Sequence, residues 1–275
     1  MSDANGIEAM KRAYDEWLRA AVVLDLDAWW DPLKRDAFLR FPDFGAWRAA
    51  LRSFGIDAAV VTCAESVRYD ALSGNERLAR LIEGEQGLYG CMVLTPDIEF
   101  SRRLDAYVDS MLARKFVASR MYPKSYMHSL SDFCSGPTLS VLEERRVPLM
   151  LWHSEASWEA IDRICGKYPR LPVIVEGHDV KLLYHARNYI RLLAEHENFH
   201  LETHNLVLFD ELRSLAEKFG ADRLIYGSYF PYNTPHHSLY NVMESRLRRD
   251  DQNRILSGNS KKLIEGIITR QGSQS

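Results

Sequence analysis

The stretch Gly220-Ala-Asp-Arg-Leu-Ile-Tyr-Gly-Ser-Tyr-Phe-Pro231, followed by Ile255-Leu-Ser-Gly-Asn-Ser-Lys-Lys-Leu-Ile264, decides how the rest of the chain is read. Leu224 to Tyr226 is a short apolar run after a charged turn. Gly227 ends it, which predicts a buried strand whose C-terminal end opens into a loop. In α/β proteins, ligands and catalytic groups gather at such strand ends.

Working back from this stretch, residues 199–204, 172–178 and 147–153 are apolar runs that each end in a histidine: His204, His178 and His153. Further upstream, residues 21–30, 58–62, 88–94 and 116–119 read as strands. Helical spacing fills the intervals at 7–19, 45–54, 73–82, 98–115, 137–145, 158–168, 182–196 and 209–219. Ser73-x-x-Glu76 before the apolar periodicity of 73–82 predicts a capping box. Eight strands thus alternate with helices and no linker divides them. The expected fold is α/β, a single (β/α)8 barrel over 21–268, with an extra N-terminal helix (1–20), a C-terminal helical segment and a frayed tail (269–275). Residues 31–44, rich in aromatics and interrupted by Pro32 and Pro42, are expected to form a loop over the mouth.

The opening stretch resembles the closing segment of the amidohydrolase-related family, in its aminocarboxymuconate-semialdehyde decarboxylase-like branch. Members close a TIM barrel with a pattern like GADRLLFGSDYP and an Ile-Leu-x-x-Asn tail. The run from His153 through Tyr168-Pro-Arg-Leu-Pro to His178 is similar to the same family, as is Gly74-Asn-Glu-Arg-Leu78. The resemblance implies a metal-dependent hydrolase or decarboxylase, with ligands in a first-strand DxHxH pattern, at the fifth and sixth strand ends, and at an Asp after the final Gly-Ser. This chain keeps His153 and His178 but carries Asp27 and Trp29 in the first-strand positions and Tyr229 in place of the last Asp.

Two imidazoles make a poor zinc site, since catalytic zinc takes three protein ligands and keeps one open position. The first reading is therefore an enzyme with no cofactor. In it His178 or His153 acts as general acid or base, Tyr229 donates a hydrogen bond, and Asp27 and His204 complete the catalytic set. Arg120 holds a substrate carboxylate, with Trp29, Tyr232 and His236 lining the substrate site. The second reading is a relocated site for a single divalent ion (Zn, Mn or Fe) using His153, His178, Asp27 and His204. The third is a barrel that only binds a flat ligand or a partner protein. Alternation along 199–204 puts His200, Glu202 and His204 on one face, with Glu202 and His204 toward the upper interior.

Composition limits the rest. A net charge of −3 over 275 residues, without a basic cluster, gives no footprint for nucleic acid. No apolar run reaches the roughly 20 residues of a membrane helix. Cys63, Cys91, Cys134 and Cys165 have no CxxC spacing, and the charged N-terminus does not read as a signal peptide. A cytoplasmic protein acting on a small molecule is expected, with a homodimer implied by the resemblance alone.

Overall fold

Strands form where apolar runs end in turn residues: β1 Leu24–Trp30, β2 Ala58–Cys63, β3 Leu88–Val93, β4 Phe116–Arg120, β5 Leu149–Trp152, β6 Val173–Glu176, β7 Phe199–Glu202 and β8 Leu224–Ile225. The computed structural model describes residues 2–30, 39–177, 182–208 and 210–269. All eight strands lie parallel in one sheet of order β1 to β8. Its two edges meet through a parallel bridge between Ala28 and Phe230 and through Leu26 N donating to Tyr226 O at 3.0 Å. This is the expected (β/α)8 TIM barrel, with helices between the strands.

Three layers fill the barrel. At its N-terminal end Leu24, Leu26, Val60, Cys91, Ala118, Met150, Ile174 and Ile225 form an apolar plug. At its C-terminal end Trp29, Val93, Tyr122, Trp152 and Tyr229 form an aromatic one. Between them lie the charged side chains of Asp27, Arg120, Glu176 and Glu202, all at most 1% exposed. A larger apolar shell that includes Trp47, Phe116, Leu139, Leu149, Tyr189 and Phe230 packs the strands against the helices.

A break in alternation on β1 decides what enters the charged layer. Leu24 and Leu26 face the interior plug, so strict alternation would send Asp27 and Trp29 outward. The β1–β2 register shifts between Asp25 and Ala28. Beyond that bulge Asp27 and Trp29 take the interior, while Ala28 and Trp30 join the outer shell.

Several boundaries differ from the sequence reading. Asp70, not Ser73, caps the helix Ala71–Ile82, its side chain accepting from Ser73 N at 2.6 Å. The helix expected over 98–115 is broken into Ile98–Ser101 and Leu104–Ala113. The helix Asp132–Arg145 begins before Pro137 and contains it. β4 extends one residue further, because Arg120 pairs with Val93 on one side and Met150 on the other. The N-terminal helix Ser2–Arg19 packs Tyr14 against Tyr240 and His236 of the helix Pro235–Glu244. Most of the expected mouth loop (31–38), His178 and the tail from 270 lie outside the described residues.

Candidate active site

The C-terminal ends of β1, β4, β6 and β7 converge on one buried ionic cluster. Arg120, the last residue of β4, is 1% exposed. Its Nη2 donates to Asp27 Oδ1 at 2.6 Å and to Glu176 Oε2 at 3.0 Å, Nη1 donates to Glu176 Oε1, and Nε donates to Thr62 Oγ1 at 3.0 Å. The guanidinium also sits 5.0 Å from the centre of the Trp29 ring. Trp29 Nε1 donates to Asp27 Oδ1 at 2.7 Å. Asp27 Oδ1 thus takes two donors, while its Oδ2 is buried without a hydrogen-bond partner among the described residues.

His204 lies on the other side of Asp27. Its Nδ1 is 3.6 Å from Asp27 Oδ2 and contacts Glu202 Oε2, and its backbone N donates to Glu202 Oε1 at 2.6 Å. Burial opposes a charged imidazole, but the Glu202 carboxylate, with Asp27 and Asp25 behind it, offsets this and holds the His204 pKa above its ordinary value. Glu202 is itself shifted upward, by burial above all. Asp27, Glu202 and His204 bring three potential ligand atoms within 4.8 Å of one another.

Local sequence explains the placement. Gly227 lies so close to Glu202 that an added Cβ would meet Oε1 at 2.3 Å, so the Gly of the Gly-Ser pair makes room for the carboxylate. Ser228 N and Oγ both donate to Asp25, whose pKa burial pushes up to about 7. The following Tyr229 takes a left-handed backbone, φ 56°, which stacks its ring on His204 (centroids 5.0 Å apart) and on Tyr232 (4.7 Å). Trp29 stacks on Trp152 at 5.5 Å, and Tyr122 meets Trp152 edge-on at 4.9 Å. These rings roof the ionic layer. Beside them a cavity of about 370 Å³ is lined by His204, Asn205, Tyr232, Asn233, Thr234 and His237.

The residues singled out from sequence are thereby divided. Asp27, Trp29, His204, Tyr229 and Tyr232 come together at the mouth. Arg120 also reaches this layer, but not as the free carboxylate clamp expected of it, because two buried carboxylates already hold it. His153 is buried with its ring 5.0 Å from His185 and 6.2 Å from Trp158, and its Nδ1 is 3.4 Å from the Glu176 carbonyl. It stands outside the three-ligand cluster, because β5 ends at Trp152 and that ring takes the interior position. His236 packs against Phe54 at 5.0 Å and Tyr14 at 5.9 Å; its neighbour His237 lines the His204 cavity instead.

Sequence reasoning passed over Glu176, Thr62, Asn205 and Asn233, and it gave His237 no site role and Glu202 no ligand role. One signal was available for Glu176: a lone carboxylate closing the run Val-Ile-Val implies a buried partner.

Trp29 and Tyr229, at two positions where the resemblance implies ligands, place aromatic rings at the mouth. The Asp27, Glu202 and His204 set does fit a divalent cation. Two carboxylates and an imidazole suit manganese, iron or zinc, and the unbonded Asp27 Oδ2 is an acceptor facing the other two groups. The relocated-site reading already drew on Asp27 and His204; Glu202 joins those two in the described cluster, whereas His153 does not.

An amidohydrolase family model matches residues 15–265. No curated protein matches the chain. Among solved structures, an uncharacterized TIM-barrel protein from Bordetella bronchiseptica is similar with a TM-score of 0.69 at 14% identity, covering 89% of this chain and 98% of that one. The 5-carboxyvanillate decarboxylase from Sphingomonas paucimobilis gives 0.68 at 14% identity, with 90% and 100% covered. A dihydroxybenzoic acid decarboxylase from Polaromonas sp. JS666, with bound manganese and the inhibitor 2-nitroresorcinol, gives 0.64 at 16% identity, with 89% and 97% covered. At these identities the likeness is one of fold.

Proposed function

The chain belongs to the amidohydrolase family of enzymes, and from that premise we propose that it is a divalent-metal-dependent decarboxylase or hydrolase of a small carboxylated aromatic compound. The observation that carries this reading is the buried Asp27, Glu202 and His204 cluster with its unbonded Asp27 Oδ2. The manganese held by the Polaromonas decarboxylase supports the choice of ion, and the aromatic acids of the similar decarboxylases support the substrate class.

Charge supports it as well. Arg120 and Glu176 neutralise each other, which leaves Asp27 and Glu202 opposite one imidazole, and a divalent cation balances two carboxylates. Asp27, Glu202 and His204 would hold the ion, which supplies Lewis-acid polarisation of an oxygen of the substrate or of water. The remaining work falls to the chain's own groups. Tyr229, itself stacked on Tyr232, fixes the plane of His204 by stacking. Trp29, Tyr122 and Trp152 keep water from the barrel axis. Asn205, Asn233, Thr234 and His237 supply polar groups for carboxylate and phenol oxygens, in a cavity whose volume suits a single-ring acid.

The test is elemental analysis of the purified, manganese-loaded protein beside Glu202→Gln, with carbon dioxide release measured from hydroxylated benzoates. Near one equivalent of metal in the wild type, lost in the variant, is expected. A wild type without stoichiometric metal overturns the reading and leaves the His204–Glu202 pair as a proton-transfer device.

A further inference from the structure

Among the described residues Glu176 makes no hydrogen bond or ion pair to the three-ligand cluster, yet both its oxygens are committed to the one guanidinium that binds Asp27. Arg120 places a full positive charge 2.6 Å from Asp27 Oδ1, in a layer where every charged side chain is at most 1% exposed. In such a medium the interaction of charges a few ångströms apart is weakly screened. A lone guanidinium there would cancel the charge of Asp27 and repel a second cation. Glu176 answers it with an opposite charge across the same planar group, in the two-pronged geometry that arginine favours.

We infer that the Arg120–Glu176 pair is a charge-compensated clamp that positions Asp27, saturating Oδ1 while leaving Oδ2 available to a divalent cation. This rests on the metal reading above. Geometry and charge divide the work: Arg120, steadied by Thr62, fixes the direction of the Asp27 carboxylate, with Trp29 as the second donor to Oδ1. Glu176 is a positioning residue that acts through Arg120, and it cancels the arginine's charge. Partners of this kind behind a ligand change metal affinity by about 10–100-fold when altered.

The experiment is calorimetric titration of Mn²⁺ into the metal-stripped full chain as wild type, Glu176→Gln, and the paired Arg120→Met/Glu176→Met. Folding of each is checked by thermal unfolding, and the visible spectrum is read at saturating Co²⁺. Glu176→Gln, which leaves the guanidinium uncompensated, is expected to weaken Mn²⁺ binding by about 10–100-fold with the Co²⁺ spectrum unchanged. The paired variant removes both charges and is expected to bind more tightly than Glu176→Gln. A merely structural role would instead make affinity follow thermal stability across the three proteins.

Unchanged Mn²⁺ affinity in Glu176→Gln overturns the inference while leaving the metal reading standing. An altered Co²⁺ spectrum in that variant overturns it by making Glu176 a ligand. No Mn²⁺ binding by the wild type overturns both. If Glu176→Gln does not fold, the paired variant decides: Mn²⁺ binding clearly weaker than wild type supports the clamp, because Asp27 then lacks its orienting guanidinium, and wild-type affinity overturns it.

Discussion

His204 Nδ1 lies 3.6 Å from Asp27 Oδ2, and this contact joins the end of the seventh strand to the first. Asp27 reaches it only because β1 carries a bulge, and His204 only because Glu202 holds its ring. His153, identified from sequence, is not part of this contact, and His178 lies outside the described residues.

Ligand substitutions should follow that geometry. His204→Ala and Asp27→Asn are expected to lower Mn²⁺ affinity at least tenfold, since each removes one of three donors. His153→Ala is expected to leave the affinity within about twofold, because its ring lies against His185 and Trp158. Titration of the three variants checks this; equal losses for His153→Ala and His204→Ala would return the metal to the fifth strand.

Stability should expose the cost of breaking the buried pair from one side. Arg120→Met strands Asp27 and Glu176 as uncompensated charges and is expected to cost about 3–5 kcal/mol. The paired Arg120→Met/Glu176→Met is expected to cost clearly less, because only one carboxylate then loses its partner. Urea unfolding of both proteins at pH 7 provides the comparison.

Gly227 offers a test that leaves every charged group in place. In Gly227→Ala the new methyl would meet the Glu202 carboxylate, with Oε1 at 2.3 Å and Cδ at 2.6 Å. Glu202 must move and carry His204 with it. A loss of about 1–3 kcal/mol is expected, the usual range for overpacking, together with weaker Mn²⁺ binding. Wild-type behaviour on both counts would show that the β8 turn yields instead.

His128 should make the protein sensitive to mild acid. Neither ring nitrogen has a hydrogen-bond partner among the described residues, and burial lowers its pKa below 6.5, against smaller upward pulls from Ser129, Asp97 and Glu155. As pH falls through 6.5 the unfolded imidazole takes its proton first. The unfolded state then binds more protons, and stability drops. His128→Leu is expected to lose less stability than wild type between about pH 7 and pH 5. Denaturant unfolding at both values checks this, and parallel losses would rule His128 out.

The sequence by itself determined the barrel. Eight apolar runs, each closed by a turn residue and separated by helical spacing, leave little choice of architecture, and the Leu224–Pro231 segment marks where the sheet closes. Alternation also gathered Glu202 and His204 correctly at the end of β7. Tertiary structure decided how the other side chains reach the site or miss it. A bulge reversed the facing of Asp27 and Trp29, the end of β5 at Trp152 left His153 against His185 and Trp158, and a left-handed residue laid Tyr229 over His204. Each is a one-residue change in backbone direction. Because side chains alternate every residue along a strand, such a change moves a group from core to exterior without altering the pattern of letters that announces the strand. The pairing of Arg120 with Glu176 lay further out of reach, since it joins β4 to β6 across the barrel interior, where proximity comes from closure of the sheet and not from spacing along the chain.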